Sequence, residues 1–403
     1  MAGENLMIVQ GGGPTPVLNA SLASMITEGQ SQSRIGKIFG SRSGMKGLST
    51  GETFALNHLT PDDLRRIGSS PGAALGSSRF APTEQDLARC VEHMRHLGVR
   101  HLVFIGGNGT MGGAQVMSDF CRSIHFDLQV VGVPKTIDND IIGTDRCPGF
   151  GSAARYVAQS TCDLAADIQS LPAPVSIFET LGRDVGWLAA SSVLAKVRPD
   201  DAPHLIYVPE RPFSRELFLE DLDAIVRRIG WAVVVVSEGI RNADGSAVFE
   251  QKVISKLGSG NRPLIGGVAQ YLSGVVAEHL GIRCRSEKPG FIGRSCMAQV
   301  SIQDKVDAEL VGREAIRALL RGSTDVMLGL RSVSHQVGSA YSLIPLSLVA
   351  GRRRAIPAEW LSAGPLATTS SFREYVGPLV GDLCHYSGID ALRNSSAGSE
   401  IAT

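Results

Sequence analysis

A chain of 403 residues, with 43% hydrophobic residues and 46 glycines, is long enough to bury large cores, and its length suggests two or three domains. Lysine plus arginine and aspartate plus glutamate both total 39, so no field of one sign would hold the chain on nucleic acid or on an anionic membrane. The apolar runs, Trp231–Val236 among them, fall short of a membrane span, Met1–Leu6 does not read as a signal peptide, and the seven cysteines include no C-x-x-C pair; a cytoplasmic protein with reduced thiols is the expectation.

In chain order, short β-branched runs at Leu6–Gln10, Ile35–Phe39, His101–Ile105, Leu128–Val133, Val175–Phe178, His204–Val208 and Ala232–Ser237 read as strands. Stretches of helical period lie between them. Glu84–His96 sets Leu87, Cys90, Val91 and Met94 on one stripe, and Arg313–Leu320 does the same with Ala315, Ile316, Leu319 and Leu320. Strands alternating with helices predict an α/β fold of two Rossmann-like, doubly wound domains. We place the first domain over 1–140, with a return to it after about 255, the second over 141–300, and a C-terminal helical extension with its tail over 301–403. The patterning weakens after Arg321, and Ala391–Thr403 is expected to fray.

In such sheets ligands gather at the carboxyl ends of strands, and three of these ends are chemically loaded. The first strand runs into Gly11-Gly12-Gly13-Pro14-Thr15-Pro16 and a helix from about Asn19, which suits either a phosphate cradle or a tight turn. His101–Ile105 leads to Gly106-Gly107-Asn108-Gly109-Thr110-Met111-Gly112, formally a dinucleotide fingerprint. The acid that should bind a ribose is misplaced, since Asp127 precedes its strand, so a phosphate cradle is preferred. The third end, Pro134-Lys135-Thr136-Ile137-Asp138-Asn139-Asp140, joins two carboxylates to a lysine and a threonine: a base, a metal ligand and a phosphate counter-charge. An Asp/Asn-rich turn would explain the acids alone.

Pro134–Asp140 resembles the catalytic motif of the phosphofructokinase family over its seven residues, and other segments follow in the family's order. Gly12-Gly13 is similar to its first glycine loop, Leu75-Gly-Ser-Ser-Arg79-Phe80 to its phosphate-contacting arginine segment, and Gly106–Thr110 to its donor loop. Glu179-Thr-Leu-Gly182-Arg183, Val208-Pro-Glu210, Ser237-Glu238-Gly239 and Gly290-Phe-Ile-Gly-Arg294 complete a likeness that spans roughly 5–300. The resemblance implies a kinase that phosphorylates a sugar-phosphate hydroxyl such as that of fructose 6-phosphate. It implies Asp138 as general base, Thr136 and Arg183 on the moving phosphoryl group, and Asp140 as magnesium ligand or orienter of the base. Donor contacts are implied for Gly12, Gly13, Arg79, Phe80, Gly107, Asn108, Gly109, Thr110 and Lys135, and acceptor contacts for Gly182, Glu238, Arg285 and Arg294. A homodimer or homotetramer is implied too, because some sugar-site arginines of the family cross between subunits, with Arg285 the candidate here.

The chain departs from the family pattern at informative places. Asn108 stands where an aspartate is usual, leaving Asn108 and Asp140 as the magnesium set with one charge fewer. Gly109 resembles ATP users and Lys135 pyrophosphate users; we take ATP as the expected donor and pyrophosphate as its alternative, because a missing side chain leaves room for adenosine. Pro172–Ser176 lacks the customary arginine and Phe291 replaces a ring donor, which opens the acceptor to another phosphosugar, a sugar or a nucleoside. Asn19–Gln30 lacks the arginines of an allosteric nucleotide site. An NAD-kinase-like protein would share the Gly106–Thr110 loop but not Pro134–Asp140, and a weak regulatory paralogue sits badly with Asp138, Asp140, Thr136 and Arg183 together.

Overall fold

The computed structural model describes residues 3–170, 174–250, 266–332 and 340–386; the tail from Ala391 lies outside them. Its strands in chain order are β1 (Glu4–Gln10), β2 (Ile35–Ser41), β3 (Thr53–Ala55), β4 (Val99–Gly106), β5 (Gln129–Pro134), β6 (Val175–Thr180), β7 (Leu205–Tyr207), β8 (Ala232–Ser237), β9 (Cys284–Glu287), β10 (Val326–Leu330) and β11 (Tyr341–Pro345). They form a seven-stranded and a four-stranded sheet, each the centre of a compact unit.

The first unit holds residues up to Ala153 and returns with Phe291–Ala355. Its strand order is β11-β10-β5-β4-β1-β2-β3, parallel from β10 to β2 and closed by antiparallel β11 and β3 at the edges. Alternation along the strands splits the core in two. Met7, Val9, Leu102, Phe104 and Val130 face the helices Glu84–His96 and Asn108–Ser123. Leu6, Ile8, Val103, Ile105 and Val131 face the helices Leu18–Ser31 and Ile302–Leu320. With helices on both faces, a doubly wound sheet presents its strand ends to the ligand.

The second unit holds Ala154–Val253, Pro263–Gly290 and the chain from Ile356. Its all-parallel sheet runs β7-β8-β6-β9. Val175, Ile177, Val234 and Val236 pack on the helices Arg215–Ile229 and Val268–Leu280. Trp187, fully buried, is walled by Trp360, Phe372 and Tyr375, with ring centres 5.5–6.1 Å away.

These divisions differ from the sequence boundaries. The first unit runs past Asp140 into the helix Phe150–Gln169, and 301–355 is no appendage: Ile302–Leu320, β10 and β11 complete the first sheet and its helical cover. Only the chain after Ile356 joins the second unit. All seven cysteines carry free thiols, four of them buried. No helix among the described residues is long and apolar enough to cross a membrane.

Candidate active site

At the carboxyl ends of β1, β4 and β5 three loops of the first unit converge. The β1 loop turns at Gly12, whose φ of +74° lies in the left-handed region that favours glycine. The arginine segment is tied to this loop, because Ser77 Oγ donates to the Gly12 carbonyl at 2.6 Å and the Gly12 N–H to that of Ser78 at 3.4 Å. Arg79 thereby stands exposed beside the loop, while Phe80 turns inward onto the core.

After β4, Gly107 caps the helix Asn108–Ser123 in extended conformation and leaves the helix's first N–H groups facing the loops. A side chain at Gly109 would meet nothing within 4 Å, so this turn borders open space. Thr110 points the other way, its hydroxyl wedged against Gly11 and Gly106.

After β5, Lys135 is only 2% exposed, and its ammonium donates to the Gly13 carbonyl from beneath the loop. Burial lowers its pKa to about 8; Asp138 opposes the shift, while Arg294 and Arg79 add to it. The Asp138 N–H donates to Thr136 Oγ1 at 3.0 Å, which leaves that hydroxyl's proton free to point at a ligand. Asn139 adopts φ +54° and accepts the Cys147 N–H at 3.1 Å, pinning the turn between the two acids. Asp140 is fixed from two sides. Asn108 Nδ2 donates to its Oδ2 at 2.8 Å and to its carbonyl at 3.2 Å, and Arg354 N–H donates to the same carbonyl at 2.8 Å. Arg353 Nε lies 4.0 Å from Oδ2.

The candidate metal pair is therefore in contact. With its amide group spent on Asp140, Asn108 keeps Oδ1 buried without a hydrogen-bond partner. Among the described residues no group of three or more His, Cys, Asp or Glu could hold a metal ion. An orphaned carbonyl oxygen beside a carboxylate nevertheless fits magnesium, a hard cation that keeps several waters and leans on substrate phosphates.

Of the residues expected at the acceptor, Gly182, Arg183, Glu238 and Arg285 lie in the second unit and Arg294 in the first. Gly182 takes φ +135°, and its carbonyl accepts Ser237 Oγ at 2.5 Å. A Cβ on Gly239 would lie 1.9 Å from the Arg183 carbonyl, so only glycine lets these two turns meet. Glu238 follows β8, where burial and the neighbouring Glu179 raise its pKa to about 7 against the pull of the Gly182 N–H, Lys288 and Arg183. Arg285 lies 3.6 Å from Asp167.

Three residues had no role assigned from sequence. Glu179, buried, accepts the N–H groups of Gly267 and Ala269 at 2.9–3.0 Å and the Lys288 ammonium at 3.0 Å. Lys288 also lines a cleft of about 400 Å³ with Tyr156, Ser160, Asp163, Asp167 and Phe178. Arg353 sits in the triplet Arg352-Arg353-Arg354, a basic run that could have flagged it.

Residues 5–319 match the model of the family described as Phosphofructokinase. The chain belongs to the phosphofructokinase family. Like the family's members it is a phosphotransferase with an alcohol group as acceptor. It is 35% identical over 390 residues to the pyrophosphate–fructose 6-phosphate 1-phosphotransferase of Xanthomonas campestris, covering 94% of this chain and 92% of that one. It is also 35% identical over 356 residues to the sulfofructose kinase of Alkalicoccus urumqiensis, with 87% and 90% covered. The crystal structure of a pyrophosphate-dependent phosphofructokinase from Marinobacter aquaeolei superposes with a TM-score of 0.85 at 30% identity, covering 96% of this chain and 94% of that one.

Proposed function

We propose that this phosphofructokinase-family member transfers a phosphoryl group from inorganic pyrophosphate to a hydroxyl of fructose 6-phosphate. The observation that carries the choice of donor is Lys135, a buried ammonium fastened under the first glycine loop. A donor without adenosine must draw its binding energy from charge, and a cation fixed in a dry place supplies it without the entropic cost of ordering a surface lysine. The named activities of the Xanthomonas and Marinobacter relatives support the same donor, so Lys135 now outweighs Gly109.

Asp138 takes the proton of the acceptor hydroxyl as its oxygen attacks the phosphorus, and the bond to the leaving phosphate breaks in line. Thr136 donates its hydroxyl proton to the moving group, and Arg79, Arg183 and Lys135 offset its charge. Asn108 Oδ1 and Asp140 would hold magnesium, which when bound neutralises donor phosphate oxygens. Glu238 accepts hydrogen bonds from sugar hydroxyls.

Two further readings have specific support. The open space at Gly109 favours ATP. Phe291, with no arginine from 172 to 176, favours an acceptor whose anionic end differs from a phosphate, such as the sugar sulfonate named for the Alkalicoccus relative. The test is a coupled assay with pyrophosphate and ATP against fructose 6-phosphate, its sulfonate analogue and unphosphorylated sugars. Turnover with pyrophosphate that collapses in Lys135→Met is expected, and turnover with ATP alone would overturn the donor assignment. We also propose a cytoplasmic homodimer or homotetramer, for which light scattering of the active enzyme is the check.

A further inference from the structure

The helix Phe150–Gln169 begins without a side chain of its own to cap it. The residue that opens it is Gly149, whose carbonyl accepts the Ala153 N–H at 3.3 Å and whose φ of +108° lies in the left-handed region that favours glycine. A Cβ there would lie 2.5 Å from Cγ2 of Thr15, in the first glycine loop. No serine or aspartate can therefore stand at this cap, although the N–H groups of the first turn still need acceptors. Asp304, buried, supplies them from another helix. Its Oδ1 accepts the Gly149 N–H at 2.7 Å, and its Oδ2 accepts the Ser152 N–H at 3.0 Å and the Ser152 hydroxyl.

Sequence alone would spend Asp304 locally. Ser301-Ile-Gln-Asp304 has the spacing of a capping box at the start of the helix Ile302–Leu320. At Thr60–Asp63 and Thr83–Asp86 the same spacing closes on itself, the acid accepting the N–H of its own cap residue. Here the Ser301 N–H donates to Ser152 Oγ at 3.2 Å, and the carboxylate is turned onto the corner Pro148–Gly149. Burial raises its pKa to about 6, with Asp307 adding to the shift and the hydrogen bonds from Ser152 and Gly149 opposing it, so near pH 7 it is a carboxylate that only accepts. The catalytic turn leans on that corner: the Pro148 carbonyl accepts the Thr136 N–H at 3.2 Å, and Thr136 pairs with Gly149 as an isolated parallel bridge.

We propose that Asp304 is a positioning residue for Thr136: by capping the helix Phe150–Gln169 from outside, it fixes the Pro148–Gly149 corner and thereby the hydroxyl that meets the moving phosphoryl group. The inference rests on the proposed role of Thr136. A reacting group misplaced by about 1 Å slows a reaction by up to about 100-fold. Asparagine at 304 keeps the size of the side chain, but its NH2 end cannot accept, so at least one of the three donors is stranded.

Steady-state kinetics of the full-length enzyme in a double-mutant cycle tests this, with the donor and acceptor that the wild type uses in the coupled assay. Asp304→Asn should lower kcat by about 10- to 100-fold, with the KM for the acceptor within about twofold of wild type. In a Thr136→Ala background the same change should lower kcat by less than about twofold, because the hydroxyl it positions is gone. A cap that served stability alone would lower the melting temperature and leave kcat per folded enzyme unchanged. That result, or losses that multiply in the double variant, overturns the inference while the role of Thr136 stands. A Thr136→Ala enzyme with the kcat of wild type overturns that role, and the inference with it. Should Asp304→Asn fail to fold, Ser152→Ala decides, since it removes one donor and keeps the carboxylate. A kcat loss of about three- to tenfold that Thr136→Ala abolishes upholds the inference, and an unchanged kcat overturns it.

Discussion

A base that removes a proton only in the transition state contributes to turnover far more than to ground-state binding. Asp138→Asn should therefore lower kcat by roughly 10²–10⁴ while leaving acceptor affinity nearly unchanged, a split that steady-state kinetics reads directly. Glu238 is a residue whose charge is set by its surroundings. Its pKa, raised from 4.5 to about 7, means that the folded state holds this proton more tightly than the unfolded chain does. The stability it contributes is complete below pH 4.5 and is lost as pH rises through 7. Thermal scans should show wild type losing roughly 2–8 °C more than Glu238→Gln between pH 4.5 and 8, as about 1–2 kcal/mol would give in a domain of this size. At this scale the sequence was informative wherever chemistry is local: Asp138, Thr136 and Asp140 share one turn, and Lys135 precedes it by a residue. The shielding of Lys135 and the hydrogen bond from Asn108 to Asp140 depend on loops 32–122 residues away and leave no local mark.

The same distinction separates elements that could be read from those that could not. The seven expected strands all exist, because each is a short, largely apolar run, and most are buried on both faces. β9, Cys-Arg-Ser-Glu, is a polar edge strand without alternation, β3 has three residues, and β11 ends on a proline. β10 carries Gly329, where a Cβ would lie 2.2 Å from Ile344 of β11, so a residue that weakens the strand signal is what lets the neighbour approach. Glu179, at the end of β6, shows an element acting on the site. It closes the start of the helix Val268–Leu280 by accepting two of its N–H groups and also raises the Glu238 pKa. Glu179→Gln should cost about 1–3 kcal/mol in chemical denaturation. It should also move the pH midpoint of acceptor affinity downward, since a like charge next to Glu238 disappears.

For the molecule as a whole, the chain after Ile356 is part of the second unit's core. Phe372, fully buried against Trp187, should cost about 3–5 kcal/mol when replaced by alanine, seen as a lower unfolding midpoint in urea. The aromatic residues here were visible in the sequence, but their partner Trp187 lies far upstream, and the boundary at 301 followed the end of the family likeness near 300, with the patterning weakening after Arg321. The first sheet has a related property. β10 hydrogen-bonds to β5 through Val326–Val131 and Met327–Gly132, yet β6 to β9 lie between them in the chain. A ribosome reaches Val326 on the order of ten seconds or more after finishing Pro134. Throughout that interval β5 is a bare, apolar strand edge, the kind that templates aggregation. Translation of this protein thus has a vulnerable window built into its gene order. Nascent chains stalled before Val326 are expected to depend on chaperones, whereas those stalled after Pro345 can bury the edge.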